Sequence, residues 1–530
     1  MIISKQMITF LCKQSDQRSS SKRSMNMNEK TIKEALLKGE RVTLECKKAK
    51  SEVPKELWNT YSAFANTIGG LILLGVEEHR KETDPAKRFE IIGVDNHQKI
   101  LTDFWNTINS DKVNENILVE KDVEVVDLDG KKIVCVHVPM ADFRLKPIYL
   151  NGNVYKGTYR RNHEGDYHCT ERQVRAMIRD SFEDGNDGIL IEYYNMDDID
   201  LETLHRYRTL FRVWNNDHVW NEVDDKTFLR NLGGYIVNRE EGKEGLSMAG
   251  LMMFGKGLPI RERFDNFRMD YLNFCNLIGE ERYSDRLTYD GRWENNLYQF
   301  FSIVLPKMTF DLPRPFRMEG LRRVDDTTQH KAVREAFTNS IIHADLMMDS
   351  GILRIEKHDD RLCFRNPGLL RLPIEQIYEG GNSKARNPRI QNMLRMVGFG
   401  ENIGSGFPKI IAAWKETDWG EPELKNKIEV DEVELVLPLP IMGQRRGKDS
   451  FMPMDGIKDG IKELTKRQEV ILNLIKQDET VTSSVLTQKT GLSQRTLMRE
   501  LATLHEKGFL TREGGRKDGK WVIKIKNNES

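Results

Sequence analysis

The stretch Lys331-Ala-Val-Arg-Glu-Ala-Phe-Thr-Asn-Ser-Ile-Ile-His-Ala-Asp345 places Glu335, Asn339 and His343 four residues apart. In a helix that spacing stacks side chains on one face, so a carboxylate, an amide and an imidazole share a stripe. Ala332, Val333, Ala336, Phe337, Ile341 and Ile342 form the apolar complement that would seat the helix on a sheet and leave the stripe presented. Such a stripe suits a magnesium-phosphate site; its plainer reading is the solvated face of an amphipathic helix. Mg²⁺ prefers hard oxygen ligands and keeps several waters, so the Asn339 side-chain oxygen together with nucleotide phosphates would hold it. Glu335, one turn earlier, would orient or deprotonate an attacking water. His343 completes the stripe as a further cofactor-binding candidate.

Two more boxes lie downstream. Phe364-Arg-Asn-Pro-Gly368 ends an apolar run that begins at Gly351, and Gly398-Phe-Gly-Glu-Asn-Ile-Gly-Ser-Gly406 opens another apolar helical pattern. Glycines there let backbone amides approach phosphate at a helix start. Together the three boxes resemble the GHKL (Bergerat-type) ATP-binding α/β sandwich, in the short HATPase_c_4-type form found in bacterial transcriptional regulators, over residues 321–442. The resemblance implies ATP and Mg²⁺ as cofactors, Glu335 as general base, Asn339 as magnesium ligand, and Gly404 and Gly406 as lid glycines against the phosphates. The lid would run between Gly380 and Gly406. Where many members of the wider family have an Asp that accepts from the adenine amino group, this chain has Asn366, whose amide oxygen still accepts but carries no charge. Gly368 closes the same box. Relatives of this kind dimerise on ATP, so a homodimer is expected.

At about 150 residues per domain, 530 residues suggest three or four domains. The 82 basic residues balance the 82 acidic ones, so attraction to nucleic acid must come from local patches. No apolar run approaches the roughly 18 residues that span a bilayer, and no membrane partner is expected. Cys12, Cys46, Cys135, Cys169, Cys275 and Cys363 are scattered without a Cys-x-x-Cys pair, which fits reduced thiols in the cytoplasm. Residues 1–27 have Asp16 as their only acid and read as a disordered leader, with Met25 or Met27 as alternative starts.

Residues 28–185 begin with Arg41-Val-Thr-Leu-Glu-Cys46 as a strand, Pro54 to Ile68 as a helix stopped by Gly69-Gly70, and Leu71 to Val76 as a buried strand. Glu40, Glu45, Lys47, Glu77 and Glu78 flank this unit, so carboxylates are expected to converge. The pattern from Glu40-x4-Glu45-x-Lys47 to Ala65-Asn-Thr-Ile-Gly-Gly-Leu-Ile-Leu-Leu-Gly-Val-Glu77 resembles the Schlafen AlbA_2 domain. That family is tied to nucleic-acid binding, and some members cleave RNA with a divalent metal. The resemblance implies Glu40 and Glu45 as paired acids holding Mg²⁺ or Mn²⁺, Lys47 in a phosphate or transition-state role, and Glu77 or Glu78 as a third acid. A binding fold whose acids are structural is the other reading.

Asp129-Gly130 and Asn151-Gly152 each sit between short apolar runs and read as hairpin turns. Tyr159-Arg-Arg-Asn-His163 would contact a phosphate backbone and stack a base, unless it is a charged strand end. Residues 186–320 connect the modules, with a helix over Leu201 to Trp214, strands at Ala249 to Gly255 and Phe267 to Cys275, and a helix over Trp293 to Met308. Residues 443–460 read as a linker.

Residues 461–530 carry helical patterns at Lys466 to Gln477, Val485 to Thr490 and Gln494 to Lys507, then two short strands about Gly514 to Gly519. This is the order of a winged helix. Its 14 Lys and Arg against 9 Asp and Glu favour a polyanionic partner, DNA first and RNA second. Ser493, Gln494, Arg495, Thr496 and Arg499 would meet bases and phosphates, with Arg516, Lys517 and Lys520 on the wing, although the same scaffold also serves protein contacts. The whole reads as a multidomain α/β (α+β) protein, an ATP-binding, nucleic-acid-binding regulator. An ATP-gated metal-dependent nuclease using Glu40 and Glu45 is the alternative.

Overall fold

The computed structural model describes residues 29–38, 42–79, 81–82, 84, 87–182, 185–265, 267–277, 281–313, 318–319, 322–323, 326–349, 351–381, 384–400, 406–440, 466–478, 480–490, 492–506, 509–513 and 520–523. The chain divides into two compact units, Met1–Gly447 and Lys448–Ser530.

In the first unit a four-stranded sheet runs in the order Leu44–Lys47, Gly70–Leu74, Lys131–Val138, Val123–Leu128. The first pair is parallel and needs a crossover, which the helix Leu57–Asn66 supplies. Ile72, Leu74, Val134 and Val136 pack with Leu57, Tyr61, Phe64 and Phe104 in one core, while Leu44, Cys46, Leu73 and Cys135 pack with Ile32 and Leu36 in another. That two-sided burial explains the unbroken apolar run from Leu71 to Leu74. Gly69 turns helix into strand at φ +80°, where a Cβ would lie 2.8 Å from Val138 O.

The hairpin at Asp129-Gly130 forms, both residues at positive φ, between Val123–Leu128 and Lys131–Val138. The one expected at Asn151-Gly152 does not. Asn153 Oδ1 instead accepts from Tyr155 N and Lys156 N and winds the short helix Val154–Gly157.

Residues beyond 190 build a six-stranded mixed sheet, ordered Asp285–Leu287, Arg268–Asn273, Ile352–Lys357, Arg361–Pro367, Glu432–Pro438, Glu423–Lys427. The region read as connecting therefore supplies two strands of the sheet that carries the Phe364-Arg-Asn-Pro-Gly368 box. One hydrophobic cluster runs from Ile191 to Leu439 across both. Ala249 to Gly255, expected as a strand, is the helix Met248–Phe254, started by Ser247 Oγ accepting from Gly250 N. Every residue of that helix is buried, so no polar face revealed its period. The helix Leu201–Trp214 lies where the periodicity puts it.

The second unit has helices Lys466–Gln477, Ser483–Thr490 and Gln494–Glu506 and the strand pair Leu510–Glu513 with Lys520–Ile523. Ile471, Ile475, Leu486, Leu497, Leu501, Leu504 and Leu510 fill its core.

Candidate functional site

The helix Thr328–Ile342 carries Glu335 and Asn339, and His343 is its C-cap. Thr327 Oγ1 accepts from His330 N at 3.3 Å and fixes the start. The apolar complement, Ala332, Val333, Ala336, Phe337, Ile341 and Ile342, is buried, with Phe337 stacked on Phe301 at 4.7 Å. Glu335, Asn339 and His343 stay partly exposed and line one cleft together with Asn366 and Gly406. The floor is the sheet: Phe364 and Asn366 lie opposite Leu435 and Val433, and all four line the cleft.

Gly406 opens the helix Gly406–Lys415 against the stripe. A Cβ there would sit 2.3 Å from Glu335 Oε1 and 3.1 Å from Asn339 Nδ2, so any side chain at this position would push the Glu335 carboxylate from its place. Gly404 lies outside the described residues. Gly368 corrects an expectation. At φ +92° it lines a neighbouring cavity and not the cleft, and its missing side chain makes room for Arg386.

Sequence reasoning missed the cationic wall. Lys384, Arg386 and Arg371 line the cleft, and Arg386 donates to His343 O at 2.7 Å and to Leu369 O at 3.1 Å. The only available signal was the basic run Lys384-Ala-Arg386, which has no helical or strand period. Burial, with the Arg386 and Arg371 guanidiniums, pushes His343 down to about 4, so its imidazole is neutral at physiological pH. Chemically the cleft offers a carboxylate, amide oxygens and fixed cations around an apolar floor, a combination suited to a nucleotide and its metal.

The amino-terminal acids are placed differently. Glu40 lies outside the described residues. Glu45 is 5 % exposed and bound by Lys47 Nζ at 2.6 Å and Arg161 Nη2 at 2.8 Å. Glu77 pairs with Lys48 at 2.9 Å, which holds it below its ordinary value, and Glu78 pairs with Arg88 at 2.6 Å. Each acid thus has its own cation. Among the described residues they form no three-ligand cluster; the one such group is Glu356, His358 and Cys363, with Arg365 already 3.4 Å from Glu356.

Tyr159-Arg-Arg also departs from expectation. Arg161 is fully buried between Glu45 and Asp166 and lies over the Phe64 ring at 5.1 Å. Arg160 is bidentate to Asp431, at 2.7 and 3.1 Å, and donates to Ile428 O at 2.8 Å. Both guanidiniums are internal struts, and Arg160 ties the amino-terminal sheet region to the cleft-bearing one.

In the second unit Ser493 Oγ accepts from Thr496 N at 3.2 Å and caps the third helix. Ser493, Gln494, Arg495, Arg499 and Lys520 are exposed and Thr496 is half-buried. Arg516 and Lys517 lie outside the described residues.

Family models match three stretches of the chain. Residues 40–170 match the one described as Schlafen, AlbA_2. Residues 352–437 match "Putative ATP-dependent DNA helicase recG C-terminal", the HATPase_c_4 model, and residues 175–270 match a domain of unknown function. The Schlafen AlbA_2 and HATPase_c_4 resemblances read from the motifs are therefore met at the level of these models. Among solved structures, the DIP2311 protein from Corynebacterium diphtheriae aligns at 17% identity and TM-score 0.36, over 94% of this chain and 97% of that one. The N-terminal domain of a Putative ATP-dependent DNA Helicase RecG-related protein from Nitrosomonas europaea aligns at 25% identity and TM-score 0.21, over 27% of this chain and 94% of that one. No curated protein matches. The AlbA_2 and recG C-terminal matches suggest a nucleic-acid-associated, ATP-binding protein. No helix among the described residues is long and apolar enough to cross a membrane.

Proposed function

We propose that this chain is an ATP-binding regulator in which nucleotide at the cleft, held in a GHKL-type arrangement, controls how the AlbA_2-like region and a winged-helix second unit engage DNA. The observation that carries the reading is the gathering of Glu335, Asn339, His343, Asn366 and Gly406 in one cleft with a cationic wall. Asn339 would ligate Mg²⁺ with the phosphates, and Glu335 would act on the attacking water. Asn366 would accept from the base, and neutral His343 would serve as a hydrogen-bonding wall.

Nucleotide would shift a domain or dimer equilibrium only so far as it prefers one state. Ser493, Gln494, Arg495 and Arg499, with Lys520, supply the exposed contacts expected of a DNA-facing helix and strand. The nuclease reading has less support, because Glu45 already carries two ion pairs.

The test is titration of the full chain with a fluorescent ATP analogue, with and without Mg²⁺, followed by duplex binding in the same samples. Asn339→Ala is expected to weaken Mg²⁺-dependent binding by about tenfold or more, the scale of a lost charge-assisted contact. Glu335→Gln should keep binding and lose hydrolysis. Equal nucleotide affinity in wild type and Asn339→Ala would sink the ATP reading. Duplex affinity indifferent to nucleotide would sink the control. Metal-dependent cleavage that is lost with chelator and in a Glu45→Gln variant whose melting matches wild type would replace the regulator with the nuclease.

A further inference from the structure

Beside the nucleotide cleft lies a second cavity of about 550 Å³, walled on one side by Phe143, Lys146 and Arg160 and on the other by Gly368, Arg371 and Arg386. That volume is within the roughly 300–1,000 Å³ of small-ligand sites. We propose that this cavity binds a phosphorylated small molecule through Lys146 and Arg371, at a site separate from the nucleotide cleft.

The argument is one of unbalanced charge. The four carboxylates among the described lining residues are all taken. Asp431 is held by Arg160 at 2.7 Å, Asp349 by Arg172 at 3.4 Å, Asp180 by Arg386 at 3.1 Å, and Asp345 by Arg179. Asp142, close by, is engaged by Arg144 at 2.9 Å. Two cations make no ion pair among the described residues and hydrogen-bond to backbone carbonyls, with Asp142, Asp180 and Asp345 acting on them from further off: Lys146 Nζ donates to Asn66 O at 3.0 Å, and Arg371 donates to Ala385 O at 3.1 Å and to Asp180 O.

Arg371 is 9 % exposed, and its Nε has no hydrogen-bond partner. The Phe143 ring lies 4.2 Å from the guanidinium and fixes its plane. The local potential agrees with this geometry. Burial, then the Arg160 charge, pushes Lys146 down to about 8; burial, then Arg386, pushes Arg371 down to about 10. An anion would restore both. A phosphate dianion matches an ammonium and a guanidinium together better than a single carboxylate does.

The phosphate has two conceivable sources, because Arg371 and Arg386 line both cavities. It is either the terminal group of a nucleotide in the cleft or part of an independent ligand. Phe143, Lys146 and Arg160 line only the second cavity, which favours the independent ligand.

Calorimetric titration of the full chain with inorganic phosphate and with pyrophosphate, alone and saturated with a non-hydrolysable ATP analogue, tests this. Saturable binding is expected in both conditions, weakened about tenfold or more by Lys146→Met and by Arg371→Met. Binding unaltered in Lys146→Met, abolished by the analogue, or absent altogether would overturn the proposal. Should Arg371→Met fail to fold by circular dichroism, Lys146→Met decides alone. The analogue's own binding isotherm reports on the cleft, so a failed nucleotide site is told apart from a failed phosphate site.

Discussion

Glu45 shows how a motif residue changes meaning once its partners are known. Expected as a metal-holding acid or as a structural one, it is the counter-charge of fully buried Arg161, shared with Asp166. Removing Glu45 leaves buried Arg161 with Asp166 as its remaining carboxylate, so the cost is part of the about 3–5 kcal/mol of a buried pair broken outright. Glu45→Ala should therefore lower the denaturant midpoint of the full chain, and a loss of nucleic-acid activity in that variant bears on the site only under conditions where it stays folded. Circular dichroism against denaturant checks it; an unchanged midpoint would return Glu45 to the list of free acids. Gly406 makes the opposite case. A methyl there meets the far end of the flexible Glu335 side chain, which can move aside. Gly406→Ala should leave thermal stability nearly intact while nucleotide turnover falls, and turnover at the wild-type rate would separate Gly406 from the site.

The helix Pro388–Met396 illustrates what an element can hide. Its own N-cap residue, Asn387, donates instead to Ile341 O and Ala344 O, at 3.1 and 2.8 Å. The cap comes from Asp187, whose Oδ2 accepts from Ile390 N at 2.8 Å across 203 residues. Burial pushes the Asp187 carboxyl up to about 6. Its unfolded value is about 3.9, so between about pH 4 and 6 the folded chain binds the extra proton and stability falls as pH rises. At neutral pH the charged carboxylate costs about 2–3 kcal/mol on this reckoning. Asp187→Asn, which can still accept from Ile390, should raise the melting temperature at pH 7, with the gain shrinking toward pH 4. A pH-independent difference would contradict the burial argument.

At the scale of the whole molecule, the +5 excess of residues 461–530 sits in a chain whose charges otherwise cancel to −5. Binding driven by it should be steeply salt-dependent. If Arg495 and Arg499 each neutralise a phosphate, replacing both by Ala in the full chain should reduce the slope of log K against log salt by about 1.8, at roughly 0.9 per contact. Fluorescence anisotropy on duplex DNA between low and physiological salt reads this directly. An unchanged slope would assign the second unit to protein contacts.

Much of this was legible because it is local. The four-residue stripe, its apolar complement, the Asp129-Gly130 turn and the three helices of the second unit follow from spacing and turn chemistry. They need no knowledge of what packs against them. The helix Met248–Phe254 was misread because uniform burial erases period, and the Asn151-Gly152 turn because Asn153 captured the backbone amides first. What the sequence by itself determined is therefore the set of elements that show a face to solvent, and the polar stripe that one of them presents. Only the tertiary structure decided which charges meet. It paired Arg161 with Glu45 and Arg160 with Asp431, moved Gly368 out of the cleft, and brought Arg371 and Arg386 to its wall. The energy of a charge depends on burial and on partners tens to hundreds of residues away, and neither is encoded in its neighbours along the chain.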